Sequence, residues 1–252
     1  MSLSQRLASS LRAAALGLVG MAAVAAHAGV IIIGTRVVYP SDARDVNVRL
    51  TNNGTTPALV QAWIDDGDPA MNAETAKVPF VLTPPLARID KAKSQTLRLI
   101  YTGQGLPQDR ETLFWLNVLE VPPKPEEGTN YLQFAVRTRI KVFYRPASLH
   151  KGEPSDSVSQ VGWQFKSTDA KSVVIEATNP SPYYLSLSQF RLVAGGKEVG
   201  SPMNVTLRPK STESITVADA DIDPKALSGV KYQVINDFGA MVEGEKSLTS
   251  RP

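Results

Sequence analysis

Short runs that alternate apolar and polar residues recur along this chain, and no long segment keeps the 3.6-residue period of an amphipathic helix. In "DVNVRLTNN", Val46, Val48 and Leu50 share one face, and Asn52-Asn53-Gly54 closes the run with turn chemistry. "GVIIIGTRVVYP" precedes it. "ALVQAWID", "FVLTPP", "ARIDKAKSQTLRLIY", "RETLFWLNVLEV" and "YLQFAVRTRIKVFYRP" follow, divided by turns such as "NNGTTP" and "GLPQDR". Roughly seven strands at this spacing predict an immunoglobulin-like sandwich. The polar stretch "ASLHKGEPSDSVSQ" reads as a linker. Beyond it, "VGWQFKS", "SVVIEATNPSPYYLSLSQFRLVA" and "VKYQVINDFGAMVEGEKSLT" predict a second β-sandwich, with "GGKEVG" at 195–200 as a hairpin turn. The expected fold is all-β, two immunoglobulin-like domains in tandem, spanning 29–150 and 151–252.

Residues 1–28 read differently. Arg6 and Arg12 stand without an acidic residue, an apolar run covers Ala13 to Ala26, and Ala26-His27-Ala28 has the form of a processing site. This is the pattern of a cleaved secretory signal, too short and Ala-rich for a membrane anchor. Its removal takes two charges from a net +3, so the mature chain is nearly neutral and nothing points to nucleic acid. Export from a bacterium, hence the periplasm, is expected, with no membrane insertion. No cysteine is present, so stability rests on core burial rather than disulfides.

The chain is poor in reactive chemistry. After residue 28 the one histidine is His150, in the linker, where it reads as solvated; with no cysteine, neither a zinc site nor a Cys-His nucleophile can be assembled. No nucleophile elbow and no paired carboxylates stand out. A binding protein without cofactor or metal is expected, not an enzyme.

One stretch poses a problem. In "YLQFAVRTRIKVFYRP", Leu132, Phe134 and Val136 lie on one face of an extended strand, while Arg137, Arg139, Lys141 and Arg145 load its second half with positive charge. Periodicity assigns the apolar row to the domain's own core. The other reading leaves it exposed for a partner, since an apolar edge strand without one is an aggregation hazard. Arg137 and Arg139 read as solvated. Trp63, Trp115 and Trp163 lie within apolar runs, as core residues do.

The strings "LPQDRETLFWLNVLEVPP", "TRIKVFYRP", "NPSPYYLSLS" and "VINDFGA" resemble the periplasmic chaperones of chaperone–usher pili, the PapD-like family, over essentially the whole mature chain. The resemblance implies an L-shaped molecule with a cleft between its domains. It would bind, fold and cap pilin or fimbrial subunits by lending a strand, then deliver them to an outer-membrane usher. Leu132, Phe134 and Val136 would fill the subunit's groove, overturning the core-facing assignment. Arg36 and Lys141 would hold the subunit's C-terminal carboxylate, and Glu111, Arg145 and Asp237 would form a charged cluster bridging the domains. Thr83-Pro84 matches a cis peptide of the family. The short connection "VPPKPEEGTN" resembles the short-loop branch that serves rod-like pili, and weak self-association through the free donor strand is expected. Lys141 has the opposite parity to Leu132, Phe134 and Val136, which calls for a bulge, a strong twist or an end of pairing between them. The alternatives are a fimbrial adhesin or structural subunit, for which the mature start lacks a spare donor tail, and a carbohydrate-binding module, for which solvent-facing aromatics are wanting.

Overall fold

A computed structural model of the chain describes residues 29–103, 105–121, 134–168, 172–200, 204–218 and 222–249. Residues 1–28, read above as a secretory signal, most of "VPPKPEEGTN", Tyr131 and Leu132 lie outside these residues.

Among the described residues, nine strands build the first sandwich: β1 (Val30–Ile32), β2 (Arg36–Pro40), β3 (Val46–Asn52), β4 (Ala58–Asp65), β5 (Phe80–Thr83), β6 (Leu86–Ile89), β7 (Ser94–Tyr101), β8 (Thr112–Val121) and β9 (Val136–Arg145). One sheet has the order β1-β3-β7-β5 and the other β2-β9-β8-β4-β6. "GVIIIGTRVVYP", read as one run, is therefore two strands in different sheets. Gly34, at φ +106°, supplies the left-handed residue on which the chain crosses over. The inward rows of both sheets, including Leu50, Val60, Leu97, Leu99, Leu116 and Val142, close a single core. At one end Tyr39 anchors an aromatic cluster with Phe80, Tyr101 and Tyr144, its hydroxyl donating to Ala43 O at 3.1 Å. The Thr83-Pro84 peptide is cis.

The second sandwich comprises β10 (Gly162–Thr168), β11 (Ser172–Asn179), β12 (Leu185–Ala194), β13 (Lys197–Val199), β14 (Val205–Leu207), β15 (Ser211–Ala218), β16 (Leu227–Ile235) and β17 (Met241–Ser247). Its sheets have the orders β10-β11-β15 and β13-β12-β16-β17, with β14 also pairing β12. Gly195 and Gly196, both at positive φ, turn β12 into β13. Trp163 is fully buried and stacks on Phe190 and Tyr232.

The stretch read as a polar linker is more compact than that. It holds two 3-10 turns and the one-turn helix α1 (Pro154–Ser157), and its Leu149 and Val158 pack into the second core. His150 is also less free than expected, with a ring nitrogen 3.2 Å from Arg145 O.

Both domains end an early strand on a buried asparagine. Asn52, at the end of β3, donates to Thr56 O at 2.8 Å and Ile89 O at 2.9 Å and accepts from Gly54 N at 2.8 Å. Asn179, at the end of β11, donates to Tyr183 O and Arg208 O, both at 2.9 Å, and accepts from Ser181 N. One side chain thus ties a turn to a neighbouring strand in each sandwich. Asn52→Ala would strand those backbone groups, at about 1–3 kcal/mol for each that water cannot reach. Urea unfolding is expected to register a loss of that order; unchanged stability would show that water takes over the role of the amide.

Candidate functional site

The geometry of β9 answers the problem of its two halves. It pairs with β8 in one unbroken antiparallel register from Val136, opposite Glu120, to Tyr144, opposite Thr112. No bulge, register shift or end of pairing with β8 separates Val136 from Lys141, so the two rows lie on opposite faces throughout. Ile140, Val142 and Tyr144 of the even row enter the first core. The same row then runs past the core: Val136 is 59% and Phe134 72% exposed. Leu132 lies outside the described residues.

The odd row lies against different neighbours. Arg137 and Arg139 are not solvated. Asp65, at the end of β4 and 0% exposed, accepts from Arg139 Nη2 at 2.7 Å and Arg137 Nη2 at 3.3 Å. It also accepts from Asn117 Nδ2 at 2.6 Å and Gly67 N at 2.8 Å. The Arg137 guanidinium covers the Trp63 ring at 4.7 Å and that of Arg139 the Trp115 ring at 4.8 Å. These two tryptophans are therefore not part of the sandwich core, as Trp163 is; they lie beside the basic row on the same face of the sheet, away from the core. Arg137 also donates to Pro69 O at 2.7 Å, which ties the loop after β4 to the strand.

Lys141 comes next on this face. β2 joins β9 in parallel and begins here, with Arg36 opposite Lys141 and Pro40 opposite Arg145. Two cations are thereby held side by side where the domains meet. Lys141 Nζ donates to Ser186 Oγ at 2.8 Å and Thr206 Oγ1 at 2.6 Å, on β12 and β14; Arg36 Nη1 donates to Ile235 O at 2.9 Å, on β16. Neither side chain has a carboxylate partner among the described residues, and Arg36 Nε is buried with no hydrogen-bond partner. Burial, and then the charge of Arg36, pull the Lys141 ammonium down to about 8. Burial likewise lowers Arg36, although Asp237 and Glu111 act from farther off in the opposite direction.

Four residues from Lys141 along the chain, the charge pattern reverses. Arg145 Nε donates to Glu111 Oε1 at 2.7 Å, and its two Nη atoms grip the Asp237 carboxylate at 2.5 and 2.8 Å. Glu111 also accepts from Tyr184 N at 2.8 Å. The cluster therefore joins the end of β9 to two segments of the second domain. Burial alone would lower Arg145, but Asp237 and Glu111 outweigh it and hold it above its ordinary value. Burial pushes the Glu111 carboxyl up, more than the Arg145 charge and hydrogen bonds bring it back.

Two family patterns match this chain: "Pili and flagellar-assembly chaperone, PapD N-terminal domain" over residues 29–150, and "Pili assembly chaperone PapD, C-terminal domain" over 156–246. The chain belongs to the PapD family of pilus-assembly chaperones. The probable fimbrial chaperone YadV of Escherichia coli K12 is 44% identical over 227 residues, 88% of this chain and 90% of that one. The crystal structure of a YadV chaperone superposes with a TM-score of 0.73 over 88% of this chain and 100% of that one. The chaperone protein FimB/FhaD of Bordetella pertussis is 41% identical over 243 residues, 93% of this chain and 95% of that one. The Salmonella enterica SafB chaperone, solved in complex with SafA pilin, is 27% identical and superposes with a TM-score of 0.70 over 87% of this chain and 96% of its own. This PapD-family membership sets the fibre-subunit alternative aside.

Resemblance reached Arg36, Lys141, Glu111, Arg145 and Asp237, but sequence reasoning missed Asp65, Asn117 and the two tryptophan platforms. Their one signal was a lone acid ending the apolar run "ALVQAWID". The Arg145 cluster generates a prediction. Arg145→Ala leaves Glu111 buried without its counter-ion, at a cost of about 3–5 kcal/mol. A carboxyl whose folded pKa lies above the unfolded one contributes stability below the unfolded value and loses it as pH rises. The deficit of Arg145→Ala, read from thermal melts, is therefore expected to be large at neutral pH and to shrink as pH falls below the ordinary glutamate range. A pH-independent deficit would assign the loss to packing.

Proposed function

We propose that this chaperone takes the C-terminal strand of a fimbrial subunit onto the open edge of β9, with the subunit's terminal carboxylate held by Arg36 and Lys141. The observation that carries this is the extent of β2. It covers β9 only from Lys141 onward, so among the described residues Val136–Ile140 have a partner on the β8 side alone. An added strand would continue the line of β2, and its end would meet Arg36 and Lys141. The chain end that carries a negative charge is the C-terminus. The added strand must therefore run parallel to β9, as β2 does. Its backbone would satisfy the free edge, while Phe134 and Val136, followed upstream by Leu132, would fill an apolar groove in the subunit. Burying such side chains is worth about 1.5–3 kcal/mol each. The Glu111–Arg145–Asp237 cluster fixes the angle at which the second domain presents its hydroxyls to Lys141. The chain acts in the periplasm after removal of residues 1–28 and hands its subunit to an outer-membrane usher. Unoccupied, the same edge supports weak self-association.

A carboxylate between the two cations would relieve both their mutual repulsion and their missing solvation. Lys141→Ala and Arg36→Ala are expected to fold as the parent does and to fail to co-purify with fimbrial subunits; normal subunit recovery would dismiss the anchor. The pH dependence follows from Lys141. In the free protein the charged form is disfavoured, a cost present below pH 8 and relieved as pH rises toward 10.5. A bound carboxylate favours that charged form, so binding takes up a proton above pH 8 and affinity declines there, most steeply in the wild type and not at all in Lys141→Ala.

Phe134 offers an independent test. Phe134→Asp places a charge where the free protein is solvated, so its melting temperature should stay near that of the parent. In a complex the same carboxylate would enter an apolar groove without a counter-ion, and subunit pull-down should fail. A strongly destabilised variant would return Phe134 to the domain's own core.

A further inference from the structure

We propose that Asp65 sets the register of the bound strand by masking two arginines that would otherwise compete for the subunit's carboxylate. This rests on the anchor reading above. Arg137, Arg139 and Lys141 project from the same face of β9 at two-residue intervals. A strand that slips by one residue turns every side chain to the wrong face, so its apolar pattern forbids that error. A slip by two residues keeps the pattern in phase. Hydrophobic complementarity discriminates against it only weakly, and the terminal carboxylate would then arrive at the level of Arg139.

The counter-ions on this face are distributed so as to prevent this. Asp65 engages both Arg137 and Arg139, and Arg145 is saturated by Glu111 and Asp237. Lys141 and Arg36, between them, donate only to two hydroxyls and a backbone carbonyl. Of the cations along β9 and its β2 neighbour at this junction, the anchor pair alone is left without a carboxylate among the described residues. Arg139 is otherwise equipped for the competing role: it lies on the same tryptophan ring as Lys141, at 4.8 against 5.8 Å, and its Nε is buried with no partner. A fully buried acid that serves two half-buried arginines is a poor source of net stability. Its use here is specificity, obtained by disabling the alternative site.

Acetate serves as the probe, with side-chain NMR of the arginine Nε–H and lysine Nζ groups. In the wild type, acetate should shift Arg36 and Lys141 and leave Arg137 and Arg139 in place. In Asp65→Asn, Arg139 should titrate as a second site, and Asp65→Asn combined with Arg139→Gln should return to one. Equal titration of Arg139 and Lys141 in the wild type, or no second site in a folded Asp65→Asn, overturns the proposal. Asp65 also accepts from Asn117 and Gly67; should Asp65→Asn fail to fold, Lys141→Ala decides the matter. With Asp65 in place, acetate should not relocate to Arg139, and relocation would refute the masking. If acetate shifts neither Arg36 nor Lys141 in the wild type, the anchor reading fails instead, while new titration of Arg139 in Asp65→Asn still reports the masking.

Discussion

The parallel pairing of β2 with β9 determines how the rest of the molecule is arranged. It begins at Arg36 and Lys141 and covers only the second half of β9. Two consequences follow at once. The first half keeps an open edge, which most proteins cover or charge because it invites pairing with other chains. The edge also stops at two cations, so it is an edge with a defined end. A site for strand addition needs both properties: backbone groups to pair with and a marker for where pairing stops.

The two faces of β9 divide the remaining work. The even row is core from Tyr144 back to Ile140 and then emerges, so one alternating pattern serves first the chaperone's own sandwich and, in the proposed complex, a partner's. The odd row is held by Trp63, Trp115 and Asp65 on neighbouring strands, which secures the strand from the side that is not offered to a partner. Beyond Lys141, Arg145 uses its fork to join the two domains. Mechanical support and the proposed electrostatic selection therefore come from the same side chains: the carboxylates that fix Arg137, Arg139 and Arg145 leave Arg36 and Lys141, among the described residues, as the cations of this junction that still lack one.

Much of this was legible in the sequence, and what was not has a physical reason. Period-2 alternation located most strands, because each has one face in a core. It failed at "GVIIIGTRVVYP", where Val30 to Ile33 is an uninterrupted apolar run and only Gly34 marks the crossover between sheets. Periodicity also pointed the wrong way for Phe134, since an exposed apolar row awaiting a partner has the same pattern as a buried one. The parity of Lys141 looked like a contradiction only while anchor and groove-filling rows were assumed to share a face. The reading of Arg137 and Arg139 as solvated failed because their partner stands more than seventy residues away. Strand order brings the two segments together, and local composition holds no record of that order.

Backbone hydrogen exchange tests the central claim most directly. In the free protein, the amides of Val136–Ile140 that do not bond β8 face an open edge and should exchange fast, while those from Lys141 onward on the β2 side should be protected. In a stoichiometric complex with a fimbrial subunit, protection should extend upstream along that edge and join the existing protection at Lys141 without a gap. A stable complex in which these edge amides still exchange at their free rates would mean that the subunit is held elsewhere.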